Sequence, residues 1–210
     1  MTVALIPAGG KSTRMGKPKL ALPLAGRAVL EHVIAALRQA GVENVLVVIS
    51  PQVPELVPVA SLAGAATLLL AHETADMRST VEQGLTWMEK TWDCRLEDPW
   101  LLVPADHPTL NAEVVRMLVA AYQPGSPHSI IIPTYGGKRG HPCLLAWQHV
   151  SAIRALAPGL GINAYLRRHA QETLELPVAT GDVLLDLDTP EDYERLMKRL
   201  QGKVALEEQD

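Results

Sequence analysis

Four cationic side chains, Lys11, Arg14, Lys17 and Lys19, fall within nine residues, directly behind the adjacent glycines Gly9 and Gly10. Crowding like charges is costly unless an anion balances them. Glycines let the backbone approach closely and turn its N–H groups toward phosphate oxygens, while the cations neutralise charge. The stretch therefore suits a polyanion such as a nucleotide triphosphate. Gly10 and Gly16 are separated by five residues and Lys17 is followed by Pro18, which excludes a Walker A loop. The glycine spacing also fails the Gly-x-Gly-x-x-Gly dinucleotide pattern. A basic surface turn is the purely structural alternative.

A bound triphosphate needs further neutralisation of its charge, and Mg²⁺ held by one or two carboxylates is the usual means. Two acids stand just beyond the carboxyl ends of predicted strands, the edge where open α/β sheets bind ligands. Asp106 lies in Pro104-Ala105-Asp106-His107-Pro108, and Asp188 in Asp186-Leu187-Asp188-Thr189-Pro190. Each has a structural alternative: Asp106 as a turn residue ahead of a helix near Asn111, Asp188 as a cap for the last helix. Alternation puts Asp186 on the same side as Asp188, so only one of the two is expected to share an ion with Asp106.

Two further segments bear on binding. Gly137-Lys138-Arg139-Gly140-His141-Pro142 sets basic side chains among permissive glycines, which suits the phosphate of a second substrate or merely a hairpin tip. Glycines and prolines between Tyr135 and Leu176 read as loops over a site or as simple turns. His32, His107, His128, His149 and His169 lack ligand spacing and read as surface or capping residues.

These groups must be positioned by a scaffold, and the hydropathy pattern supplies one. Apolar runs alternate with amphipathic stretches, as expected of strands buried on both faces and separated by helices. Strands are predicted at Thr2-Pro7, Asn44-Ile49, Ala66-Leu70, Trp100-Pro104, His128-Pro133, Cys143-Ala146, Thr173-Leu176 and Val183-Leu185. Helices are predicted at Arg27-Ala40, Glu55-Leu62, Arg78-Trp92, Asn111-Tyr122, Gln148-Leu156, Ile162-His169 and Pro190-Leu200. Thr189 is expected to cap the last helix, with Pro190 at its first position, and Gly41 to end the first. Residues 1–200 read as a single domain, with 201–210 a polar tail that frays.

Composition narrows the class. The 210 residues are 48% hydrophobic, enough for a substantial core, and 19 basic against 23 acidic side chains give a net charge of −4. That balance argues against a dominant grip on nucleic acid. Cys94 and Cys143 form no zinc-type cluster, and no apolar run reaches membrane-spanning length. With no signal-like leader, a cytoplasmic location is expected.

The run from Ala8 to Lys19 resembles the signature loop of the molybdenum cofactor nucleotidyltransferase-like family, the MobA-like NTP transferases. Its Gly16-Lys17-Pro18-Lys19 ending and the Gly140-His141-Pro142 segment are similar to the cytidylyltransferase branch. The segment at Asp106 is similar to the family's Asp-x-Pro metal motif, and the context of Asp188 matches the segment near the family's C-terminus. The resemblance implies an α/β fold, a Rossmann-like three-layer α/β/α sandwich with a mixed, mostly parallel sheet. It implies Mg²⁺ on Asp106 and Asp188, and nucleotide held by Ala8, Gly9, Gly10, Lys17 and Ser79, the last from the stretch lying over base and sugar. Arg14 and Lys19 are expected to stabilise charge on the transferring and leaving groups, and Arg139, Gly140 and His141 to receive the acceptor. Implied partners are a nucleoside triphosphate, with CTP favoured, a molybdopterin-type acceptor, and a client molybdoenzyme or its chaperone; no nucleic acid and no membrane are expected. The alternatives are GTP-dependent molybdopterin guanylyl transfer, transfer to a sugar phosphate or other small molecule, and a non-catalytic nucleotide-binding or cofactor-delivery protein.

Overall fold

The computed structural model describes residues 1–10, 15 and 17–207, with 201–207 as helical backbone. The chain opens with β1 (Val3–Ala8), then a small hairpin of β2 (Pro23–Leu24) and β3 (Arg27–Ala28). It continues through α1 (Val29–Gln39), β4 (Asn44–Ile49), α2 (Leu56–Leu62), β5 (Ala66–Leu69), α3 (Met77–Trp92) and β6 (Pro99–Leu102). There follow α4 (Ala112–Ala121), β7 (Ile130–Tyr135), β8 (Lys138–Arg139) and β9 (Cys143–Ala146). The chain closes with α5 (His149–Arg154), α6 (Ile162–Arg168), β10 (Thr173–Pro177) and α7 (Pro190–Glu207). No helix among the described residues is long and apolar enough to cross a membrane.

The main sheet runs β10-β7-β9-β6-β1-β4-β5, with β8 pairing on β7. Its strands are parallel except where β9 meets β6 and β7, and where β8 meets β7. Every residue of β1 is buried, and alternation divides them between two cores. Ala4, Ile6 and Ala8 join the core under α1, α2, α4 and α7; Val3 and Leu5 join the core under α3, α5 and α6. The result is the expected three-layer α/β/α sandwich around a mixed, mostly parallel sheet.

From β1 the chain crosses to β4 on one side and later reaches β6 on the other. The carboxyl ends of β1 and β6 therefore flank a topological switch point, the crevice where open α/β sheets bind ligands. α3 lies directly over β1 and β4 because Gly84 gives it close access. A Cβ there would overlap the Leu5 side chain and lie 2.7 Å from Val48 Cγ2.

Several boundaries differ from the sequence expectation. Arg27 and Ala28 belong to β3, because Ala25 and Gly26, both at positive φ, turn the chain tightly back on Pro23 and Leu24. Glu31 then accepts the Ala28 N–H at 2.5 Å and starts α1. The expected strand at Val183-Leu185 is a 3₁₀ turn, Gly181–Leu184, capped by Thr180. α7 passes its expected end at Leu200, and its helical backbone continues to Glu207. Gly41 ends α1 at φ 87°, as expected of a left-handed terminator.

Gly84→Ala is expected to cost about 1–3 kcal/mol of stability, since overpacking outweighs the roughly 1 kcal/mol gain in helix propensity. Urea unfolding measures it; an unchanged midpoint would mean that α3 does not rest on β1 and β4 through this residue.

Candidate functional site

Three distant segments meet beside the β1–β6 crevice. Lys19 begins a single helical turn, Lys19–Ala21, and its Nζ donates to Asp106 Oδ2 at 2.6 Å, to the Leu187 carbonyl at 2.7 Å and to Asp188 Oδ1 at 2.9 Å. Asp106 follows β6, and its own carbonyl accepts the Leu187 N–H at 2.9 Å, so backbone pairing holds the two acidic segments side by side. The start of α7 fixes Asp188 from the other direction. Asp192 Oδ2 accepts the N–H groups of Asp188 and Thr189 at 3.1 and 2.9 Å, while the Thr189 hydroxyl accepts the Asp192 N–H at 3.2 Å. Thr189 and Asp192 perform the capping, so the Asp188 carboxylate is turned to Lys19. Asn111 caps α4 through the Glu113 N–H at 2.8 Å, so capping does not account for Asp106 either.

The Lys19 ammonium reports the electrostatics of this cluster. Burial alone depresses its pKa, but the hydrogen bonds and charges of Asp106 and Asp188 together outweigh burial and hold it above 10.5. The ion pairs therefore stabilise the fold below about pH 10.5, and that contribution is lost as pH rises through the raised value.

Asp186 takes a different partner from Asp188. It pairs with Nε2 of His107, whose side chain is only 2% exposed, and that hydrogen bond holds the Asp186 carboxyl below its usual range. The His107 ring meets that of His141 edge to face at 5.5 Å. Burial, and secondarily the charge of His107, lowers the pKa of His141 and favours its neutral form. His107 is thus a buried element of the site, contrary to the surface reading; its partner is distant in sequence and left no spacing signal.

A cavity of about 350 Å³ opens at the strand ends, lined by Pro7, Pro104, Asp76, His141, Gly161 and Asn163 among others. Arg78 lines it too, and its Nη1 donates to the carbonyls of Leu156 and Ala157 at 2.8 and 3.1 Å, tying the glycine-rich loop after α5 to α3. A second space of about 280 Å³ adjoins it through His141 and Asn163, and brings Arg139 and Gly140 together with Arg167 of α6. Asn163 and Arg167 were not singled out in the sequence, where only the nearby Gly159 and Gly161 suggested a loop over a site.

The other sequence-selected residues sit as follows. Ala8 ends β1 with its side chain buried, leaving its backbone toward the crevice end of the strand. Gly9 faces Thr80, whose Oγ1 would lie 3.1 Å from an added Cβ, whereas a Cβ on Gly10 would meet no atom of the described residues within 4 Å. Lys17 is exposed. Ser79 donates its N–H and hydroxyl to Asp76 Oδ1, at 2.7 and 2.8 Å, which holds the Asp76 carboxyl below its usual range. Arg139 Nε pairs with Glu175 at 2.8 Å. Gly140 is required by contact: an added Cβ would lie 2.6 Å from the Val183 carbonyl, which accepts the His141 N–H at 2.9 Å. His141 precedes Pro142 through a cis peptide bond. Arg14 lies outside the described residues, as do Lys11 and Gly16.

The switch-point crevice and the acids paired beside it make this a three-layer α/β protein with a polar, charged site at the carboxyl edge of its sheet. The model of the MobA-like NTP transferase domain matches residues 4–173, and the chain belongs to that family. Among curated relatives it is 28% identical to the molybdenum cofactor guanylyltransferase of Xanthomonas euvesicatoria pv. vesicatoria, covering 92% of this chain and 93% of the relative. It is 29% identical to the molybdenum cofactor guanylyltransferase of Rhizobium meliloti, covering 90% and 87%. A solved nucleotidyl transferase from Methanothermobacter thermautotroptrophicus shares the fold at a TM-score of 0.80 with 18% identity, over 97% of this chain and 99% of that one.

Lys19→Ala removes the ammonium shared by Asp106 and Asp188 and leaves two carboxylates facing each other. The expected loss of stability is about 1–3 kcal/mol, toward the lower end because the Asp188 side chain is 43% exposed. Thermal melts at pH 7 measure the loss, and adding Asp106→Asn to the same chain should recover part of it. An unchanged melting temperature would show that the ammonium does not hold the acids together.

Proposed function

We propose that this chain transfers a nucleoside monophosphate from a nucleoside triphosphate to the phosphate of a molybdopterin-type acceptor, releasing pyrophosphate. The observation that carries this reading is the meeting of Lys19, Asp106 and Asp188 beside the β1–β6 crevice. The Asp106, Leu187 and Asp188 oxygens around the Lys19 nitrogen form a hard, cation-binding donor set that fits Mg²⁺. Asp106 and Asp188 would hold it. When bound, Mg²⁺ supplies charge neutralisation to the phosphates.

The protein's own groups then position and stabilise. The N–H groups of Gly9 and Gly10, at the end of β1, approach the phosphates, and the backbone of Ala8 aims that turn. Lys17 and Arg14 add positive charge over the triphosphate. Lys19, released from the acids when the metal takes its place, stabilises charge on the transferring and leaving groups. Ser79 acts beside the nucleotide through the Asp76 turn it braces. Arg139, Gly140 and His141 border the space beside Arg167, where an acceptor phosphate finds cationic partners. An oxygen of that phosphate attacks the α-phosphorus in line, the new P–O bond forms and the bond to pyrophosphate breaks. Such a nucleophile is already ionised near neutrality, so neutral His141 needs only to orient it. Positioning and electrostatics supply the catalysis.

CTP is the nucleotide favoured by Pro18 and the Gly140-His141-Pro142 segment, through their similarity to the cytidylyltransferase branch. GTP is the second reading, favoured by the guanylyltransferase names of the two curated relatives. Incubating the protein with Mg²⁺, molybdopterin and each of the four nucleoside triphosphates in turn, and measuring pyrophosphate, separates them. CTP is expected to give the fastest release, while faster release with GTP would assign the chain to guanylyl transfer. Binding of a triphosphate without turnover would favour a regulator or a cofactor-delivery protein.

Asp106→Asn is expected to lower pyrophosphate release by about 10²–10³-fold, the scale of removing one transition-state electrostatic contact, with an unchanged circular dichroism spectrum. Near-normal release would overturn the role given to Asp106.

A further inference from the structure

At the opposite end of the sheet from the crevice, α5, α6 and β10 bring two imidazoles and a carboxylate together. His149 opens α5, His169 follows α6 and Glu172 precedes β10. One ligand atom from each lies within 4.8 Å of the other two. In a tetrahedral zinc site, metal–ligand distances of about 2.0–2.2 Å place ligand atoms roughly 3.3 Å apart. Closing on an ion therefore draws these atoms together by up to about 1.5 Å, with His149 exchanging one of its two hydroxyl partners for the metal. We propose that His149, His169 and Glu172 form a three-ligand site for a borderline divalent cation such as Zn²⁺, with solvent as the fourth ligand, separate from the acids at the crevice.

The donor set selects the class of metal. Two imidazole nitrogens and one carboxylate oxygen suit zinc and its first-row neighbours, whereas the all-oxygen cluster at Asp106 and Asp188 suits magnesium. The surroundings also fit. His149 is 3% exposed, and its two ring nitrogens contact the Tyr165 hydroxyl and the Ser129 hydroxyl, each at 2.8 Å. With one nitrogen given to the ion, the other keeps such a partner, the outer hydrogen bond that orients a metal-binding histidine. The His169 ring stacks on Tyr165 with centroids 4.1 Å apart, and His169 Nδ1 contacts Glu172 Oε1 at 2.7 Å. Ser129 also donates to Glu172 Oε2 at 3.4 Å. The His169 and Glu172 side chains are 30% and 43% exposed, which leaves an approach from solvent.

The site bears on the crevice through α6. Tyr165, which orients His149 and stacks on His169, belongs to the same short helix as Asn163 and Arg167, which line the space beside His141. β7 runs six residues from beside Ser129 to its pairing with β8, a span of about 20 Å at roughly 3.3 Å per residue. A metal at this distance from the crevice would pin α6 against α5 and β10 without touching substrate.

Zn²⁺ titration of the full chain by calorimetry, with thermal melts alongside, tests the proposal. The wild type is expected to bind one equivalent at this site and to gain melting temperature with added Zn²⁺. His169→Ala and Glu172→Gln should each weaken that binding by about tenfold or more and abolish the gain, whereas Asp106→Asn should leave both unchanged. Both substituted side chains are partly exposed, and Glu172→Gln preserves shape, so circular dichroism is expected to confirm that the variants fold. Absence of zinc binding in the wild type, or equal binding in His169→Ala and Glu172→Gln, would overturn the site.

Discussion

The ammonium of Lys19 between the carboxylates of Asp106 and Asp188 is the interaction on which the site depends. Two acids brought together from distant parts of the chain repel each other unless a cation stands between them. Lys19 supplies that cation from its own short helical turn, so a single side chain links that turn, the turn after β6 and the entry to α7. Backbone pairing joins the two acidic segments, Leu187 donating its N–H to the Asp106 carbonyl, and the Leu187 carbonyl accepts the Lys19 ammonium as well. The fold itself thus orients both acids toward positive charge. Electrostatic stabilisation costs least when its groups are already oriented.

The sheet makes this meeting possible. β1 and β6 are adjacent and parallel, so the loops leaving their carboxyl ends emerge at one edge although they are far apart in sequence. β9, inserted antiparallel between β6 and β7, brings the Gly140-His141 segment to that edge as well. Packing fixes the geometry. Gly84 lets α3 settle on β1, which places Asp76 and Arg78 over the crevice, and Gly140 lets β8 and β9 approach the turn at Val183. In both positions the missing side chain matters because another atom occupies its space.

Much of the scaffold was legible because buried parallel strands write themselves as uninterrupted apolar runs. Asn44–Ile49 and Cys143–Ala146 lie where the sequence put them. Val183 and its leucine neighbours carry the same signal yet form a turn, because Thr180 accepts the Asp182 N–H and the Val183 carbonyl receives His141. Propensity is local, and these hydrogen bonds are not. The start of α1 was misplaced because Ala25 adopts a positive φ that its residue type does not advertise. At the site, Lys19, Asp106 and Asp188 could be singled out by type and position, but that one ammonium bridges both acids could not. His107 and His149 were read as surface residues and are buried, since the partners that satisfy them, Asp186, Ser129 and Tyr165, are joined to them only by the fold.

If the cation position between Asp106 and Asp188 is the centre of the site, Lys19 and a divalent ion compete for it. The most direct measurement is Mn²⁺ binding followed by electron paramagnetic resonance, in the absence of nucleotide, for the wild type and Lys19→Ala. Removing the ammonium should tighten binding by about tenfold or more, a change of roughly 1.4 kcal/mol, and the added Asp188→Asn substitution should abolish the gain. Equal Mn²⁺ affinity in the wild type and Lys19→Ala would contradict a shared position.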